Sequence, residues 1–261
     1  MISAMSIAGS DPGGGAGIQA DLKTFSALGV HGTTVITSIA VENTIEVRKV
    51  HPMPLGVIED QFRIVMDDFD IRAVKCGMLF DREIAFLVAD LLSDERVPLI
   101  LDPVMVAEVG DPLAKRSLLI GLRKLAPMAK LITPNRDEAE KLIGRRISDV
   151  RGALEDLSRL GSEYVLLKGG HFAEPRDKVV DFLYECGSGK TTILQGSRIA
   201  KGTHGSGCTI SAAIAAFLAR SLSLDESVRR AKSFISDAIS NSYKPGKGAG
   251  VVNQLRLGER G

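Results

Sequence analysis

Short apolar runs at residues 4–8, 35–40, 74–77, 99–102, 131–133 and 165–168 recur along the chain, separated by longer stretches of helical periodicity. A run of this length without apolar/polar alternation fits a strand covered on both faces, and such strands joined by amphipathic crossovers form a parallel sheet. This rhythm predicts an α/β fold with a mostly parallel sheet between helical layers. Neither an internal repeat nor a Gly/Pro-rich linker interrupts it, so residues 1–261 are read as a single domain.

Helical spacing is expected over 18–28, 54–66, 84–92, 113–125, 136–142, 154–160, 209–219 and 225–242. The start at 136 follows Pro134-Asn135 and has acidic residues in its first turn, where the helix dipole favours them. After Lys178 the pattern changes: 179–184 and 191–194 read as a hairpin turning through Cys186-Gly187-Ser188-Gly189. The tract 42–51, after the second strand, is a candidate flap.

Composition narrows the function. Lys and Arg number 33 against 32 Asp and Glu, a net charge of +1, and there is no Trp. Binding to nucleic acid by counterion release or base stacking is therefore not expected. No apolar stretch reaches the ~20 residues that span a bilayer. Three cysteines, Cys76, Cys186 and Cys208, lack C-x-x-C spacing, and residues 1–9 read as a strand rather than a leader, so a reducing cytoplasmic setting is expected.

The 27 glycines cluster where an α/β sheet binds ligands, beyond the carboxyl ends of its strands. One cluster follows the first strand (Gly9 to Gly17), a second follows Lys168, a third precedes a helix (Gly202 to Thr209) and a fourth lies in the tail (Gly246 to Gly250). Each cluster alone could be a tight turn, but several on one sheet edge suggest a phosphate track in which backbone N–H groups approach an anion. Gly187-Ser188-Gly189-Lys190-Thr191 imitates the end of a Walker A loop, yet Tyr184 stands where its first glycine belongs and the next residues favour a strand. Gly15-Ala16-Gly17-Ile18-Gln19-Ala20 approximates a dinucleotide fingerprint, which keeps an NAD-dependent oxidoreductase as a rival, but it starts too far beyond the strand. Cys208 sits at a helix start, where oriented N–H groups should lower its pKa; it can be a nucleophile served by His204, a general base or a small buried side chain.

These residues resemble the ribokinase superfamily, and most closely its hydroxymethylpyrimidine/phosphomethylpyrimidine kinases. The resemblance is carried by Gly9-Ser10-Asp11 with Gly14 to Thr24, Lys75-Cys76-Gly77-Met78-Leu79, Leu101-Asp102-Pro103-Val104, Thr133-Pro134-Asn135 with Glu138, Lys168-Gly169-Gly170-His171 and Thr203 to Thr209. It implies a ribokinase-like three-layer α/β/α sandwich and an ATP- and Mg²⁺-dependent kinase acting on 4-amino-5-hydroxymethyl-2-methylpyrimidine and then on its monophosphate. By the same resemblance, Gly205, Ser206, Gly207 and Cys208 form an anion hole for the transferred phosphoryl group, with Cys208 as base for the alcohol. Gly9, Asp21, Glu42, Met78 and Val104 would line the pyrimidine pocket, and Asn135, Glu138, Lys168, Gly170 and Thr203 would face ATP. Glu138 would organise Mg²⁺ through water, and the protein would be a homodimer. A pyridoxal or pyridoxine kinase is the alternative within the superfamily, and a non-catalytic nucleotide-binding module is one outside it.

One position departs from the family pattern. Glutamine usually stands where this chain has Glu42, and an ionised carboxylate cannot donate to a ring nitrogen as an amide does. Burial would raise the pKa of Glu42 and make proton sharing plausible. Of the remaining histidines, His31 and His51 read as ordinary surface residues, whereas His171 lies beside the second glycine cluster.

Overall fold

A computed structural model describes residues 1–106, 113–169, 178–199 and 201–255. One nine-stranded sheet organises them in the order β3-β2-β1-β4-β5-β6-β7-β8-β9. The parallel part comprises β2 (His31–Glu42), β1 (Ser3–Ser10), β4 (Ile71–Cys76), β5 (Leu99–Leu101), β6 (Leu131–Ile132) and β7 (Tyr164–Leu167). Antiparallel strands extend both edges: β3 (Val47–Pro52) beside β2, and the β8 (Lys178–Glu185) and β9 (Lys190–Ser197) hairpin beyond β7.

Successive residues of a buried strand serve opposite layers. Met5 and Ile7, Leu99 and Leu101, and Val165 and Leu167 point into one core, which also holds α2 (Leu55–Asp68), α3 (Arg82–Leu92), α4 (Leu118–Leu125), α5 (Arg136–Ile143) and α6 (Val150–Ser158). Ala4, Ile100 and Leu166 point into the other, against α1 (Gly17–Ala27), α7 (Ser206–Ala219) and α8 (Leu224–Ser240). The result is the expected α/β/α sandwich, in which each fully buried Leu or Ile contributes about 1.5–3 kcal/mol.

The central helix α7 is apolar on nearly every side, with Ile210, Ala212, Ala213, Ile214, Ala215 and Ala216 all buried. Its alanines let it lie close against β1, β4 and β5, with α1 and α8 packed against it. That packing aims its N-terminus at the middle of the sheet's carboxyl edge.

Two sequence readings change. The helix expected from 113 begins at Leu118, while Lys115 N–H bonds the Phe80 carbonyl. The candidate flap is a strand hairpin: residues 47–52 pair with β2, and the C-terminal tail pins the turn by bonding Gly248 N–H to Thr44 Oγ1 and Ala249 N–H to the Thr44 carbonyl. Arg48, Lys49 and Pro52 keep this edge strand charged and proline-capped, which discourages further pairing. The rejected P-loop is the β8–β9 turn, with Lys190 and Thr191 in β9.

Candidate active site

A cavity of about 770 Å³ opens along the carboxyl edge, within the range of small-molecule sites. The entrance to α7 forms one wall. Gly205 caps the helix with φ +84, and a Cβ there would run into the Gly15 carbonyl oxygen, so only glycine fits. Ser206 N–H donates to the Thr203 carbonyl at 2.9 Å. An anion at this entrance is therefore left to the N–H groups of Gly205, Gly207 and Cys208, where the sequence had suggested four donors.

Cys208 lines the cavity, but its thiol is not activated in the way the sequence predicted. Burial pushes it up to about 12; the Lys75 ammonium and a hydrogen bond from Gly17 N–H act in the other direction without prevailing. Burial thus outweighs the ammonium and the backbone donor. His204 Nε2 lies 3.5 Å from Asp11 Oδ2, which pairs the histidine with Asp11.

Gly9, Glu42, Met78 and Val104, which lie at or beyond the ends of β1, β2, β4 and β5, line the same cavity. Gly9 packs so closely that a Cβ would overlap Met78 Cε and lie 2.9 Å from Ser38 Oγ. Ser38 Oγ is the buried side-chain polar atom left without a partner among the described residues. Asp21 differs from expectation. It is fully buried behind the cavity wall, accepting from Ser6 Oγ at 2.5 Å and from Lys75 Nζ at 3.0 and 2.8 Å. Its role is to hold Lys75, which does reach the cavity. Burial disfavours the Lys75 charge, but the surrounding carboxylates, Asp21 first, outweigh it and keep the ammonium protonated.

On the β5–β7 side, Lys168 Nζ lies 3.0 Å from Asp102 Oδ1 and 4.0 Å from Glu138 Oε2. Asp102, at the end of β5, also accepts from Thr133 Oγ1 at 3.0 Å and Ser211 Oγ at 3.1 Å, which ties the sheet to α7. Asn135 and Glu138 form a reciprocal cap on α5, with Glu138 N–H donating to Asn135 Oδ1 at 2.9 Å and Asn135 N–H to Glu138 Oε2 at 2.8 Å. Burial raises Glu138 to about 7, although Lys168 opposes it. Asn135 and Thr203 complete this wall. Gly170 and His171 lie outside the described residues, whereas neighbouring Gly169 is fixed by its N–H bond to Asp181 Oδ1 at 2.8 Å.

Every predicted site residue within the described segments except Asp21 meets at this cavity. Three further residues emerge. Asp11 accepts from Gly13, Gly15 and Ala16 N–H groups, and Lys75 and Asp102 carry the buried charges. All three stand at or just beyond the carboxyl ends of β1, β4 and β5, a position that could have singled them out from sequence.

This strand order, with a donor-lined helix entrance facing a lysine–carboxylate cluster, defines a small-molecule kinase of ribokinase-like architecture. Residues 11–253 match the phosphomethylpyrimidine kinase family, and the chain belongs to it. The hydroxymethylpyrimidine/phosphomethylpyrimidine kinase of Haemophilus influenzae is 44% identical over 95% of both chains. Among solved structures, an ADP complex of Bacillus subtilis pyridoxal kinase matches with a TM-score of 0.88 and 35% identity over 97% of each chain. A phosphomethylpyrimidine kinase from Clostridium difficile matches with a TM-score of 0.79 and 38% identity over 92% of this chain and 100% of that one.

Proposed function

We propose that this kinase transfers phosphate from ATP to 4-amino-5-hydroxymethyl-2-methylpyrimidine and then to the resulting monophosphate. The observation that carries the reading is the convergence, in one cavity, of the α7 entrance with the slot made by Gly9, Glu42, Met78 and Val104. The aromatic ring occupies the slot and presents its hydroxymethyl group to Cys208. N–H groups of Gly205, Gly207 and Cys208 take up charge on the transferred phosphoryl, where catalysis depends on positioning and electrostatics. Lys168, Asn135 and Thr203 face the nucleotide.

Cys208 serves the alcohol step. Its thiol must first release its proton to solvent before the thiolate can accept one from the hydroxyl, and the Lys75 ammonium and Gly17 N–H are the groups that favour the thiolate against burial. The second acceptor is an ionised phosphate and needs no base.

Among the described residues no group of three side chains could hold a metal ion alone. Glu138 and Asp102, both carboxylates beside Lys168, suit a hard cation that brings its own waters and phosphate oxygens. Mg²⁺ bound there with ATP would neutralise phosphate charge.

No helix among the described residues is long and apolar enough to cross a membrane. We infer a cytoplasmic homodimer from the family resemblance, and light scattering after gel filtration tests the dimer. Likeness to pyridoxal kinases supports pyridoxal as a second acceptor. Incubation with ATP·Mg²⁺ and the pyrimidine alcohol, its monophosphate or pyridoxal, with products identified by mass spectrometry, separates these readings. Phosphorylation of both pyrimidines supports the proposal, and absence of product from either rejects it.

A further inference from the structure

Glu42 ends β2 at a break in the β2–β3 register and lines the cavity half-buried. Its carboxyl group is within hydrogen-bonding reach of Asp11. Two carboxylates in such contact share a proton, and the surroundings decide which one carries it. Asp11 Oδ1 accepts from Gly13 N–H at 2.6 Å, while Oδ2 accepts from Gly15 N–H at 2.9 Å and Ala16 N–H at 2.8 Å and faces the His204 ring. These donors satisfy an anion. Burial works against the Asp11 charge, but His204 and the backbone donors outweigh it and hold its carboxyl below the usual range. The proton therefore belongs to Glu42.

A protonated carboxyl has one donor and one acceptor, the complement that an aminopyrimidine edge requires: an acceptor ring nitrogen beside a donor amino group. We propose that Glu42 reads this edge as a neutral acid, so that the complex with the pyrimidine holds one shared proton which the separated partners lose as pH rises. The inference rests on the pyrimidine assignment made above. A glutamine at this position would supply the same donor and acceptor without any proton.

Burial, with the Asp11 charge added and His204 opposing, raises Glu42 to about 7. Asp11 from the β1–α1 loop and His204 ahead of α7 are the charged groups acting on it. On the paired strand β3, Arg48 bonds Glu46 and Lys49 is exposed; Lys247 in the tail is exposed as well.

The test is the pH dependence of KM for the pyrimidine alcohol between pH 6.5 and 9 in the intact enzyme and in Glu42→Gln. The wild-type KM should rise by about tenfold per pH unit once Glu42 ionises, while Glu42→Gln, which keeps Asp11 and His204, should remain flat. Binding calorimetry in two buffers of different ionisation enthalpy should show close to one proton taken up at pH 8 by wild type and none by the variant. Turnover with a flat wild-type KM, or an equal slope in the variant, overturns the inference and leaves the kinase reading intact. No phosphorylation of the pyrimidine at any pH overturns both.

Discussion

Lys75 Nζ lies 2.8 Å from Asp21 Oδ2, and neither side chain has any exposure to solvent. An ion pair in this setting is costly to break from one side, because the survivor is left charged and unsatisfied. Lys75→Met should therefore destabilise the protein by about 3–5 kcal/mol, and adding Asp21→Asn should recover part of that loss. Urea unfolding of wild type, single and double variants measures the coupling. Additive effects would show that the pair does not act as a unit.

Lys168 is the cation between Asp102 and Glu138, so its loss leaves two carboxylates facing the phosphate track. Lys168→Ala is expected to lower kcat/KM for ATP by about a hundredfold or more, in line with the loss of a transition-state charge contact. KM for the pyrimidine should change little. Steady-state kinetics with each substrate varied in turn makes the distinction.

Glu138 gives the ligand-free protein a pH signature. Its ordinary value is 4.5 and burial raises it to about 7, so between these the folded state binds more protons than the unfolded state. Stability from this group is complete below about 4.5 and is lost as pH rises through about 7. Thermal melts without nucleotide should show a midpoint a few degrees lower at pH 7.5 than at pH 5.5. Glu42 also rises to about 7, so Glu138→Gln should reduce that slope without abolishing it, and an unchanged slope would assign it to other groups.

Much of this was legible in the chain. The apolar runs located every parallel strand, and strands buried on both faces, such as Leu99–Leu101, leave a continuous hydrophobic signature. Strand β3 escaped because an edge strand with exposed Arg48 and Lys49 carries no such signature. Glycine placement pointed to the α7 entrance, where Gly205 and the Gly15 carbonyl meet. What local pattern could not show was depth. Asp21 and Lys75 are 54 residues apart, and only the fold shows that Asp21, behind the cavity wall, neutralises the Lys75 ammonium that reaches the cavity. The same applies to Cys208: its position at a helix start suggested a low pKa, but the surrounding burial, a tertiary property, reverses the direction.

The central claim is that Cys208, at the N–H-lined entrance of α7, serves transfer to the pyrimidine alcohol. It is tested most directly by the rates of the two phosphorylations in Cys208→Ala, each followed separately from alcohol and from monophosphate. The alcohol step should slow by about 10²-fold or more, the size of a general-base contribution, while the monophosphate step should change by less than about tenfold because its acceptor is already ionised. Equal losses in the two steps would contradict that role.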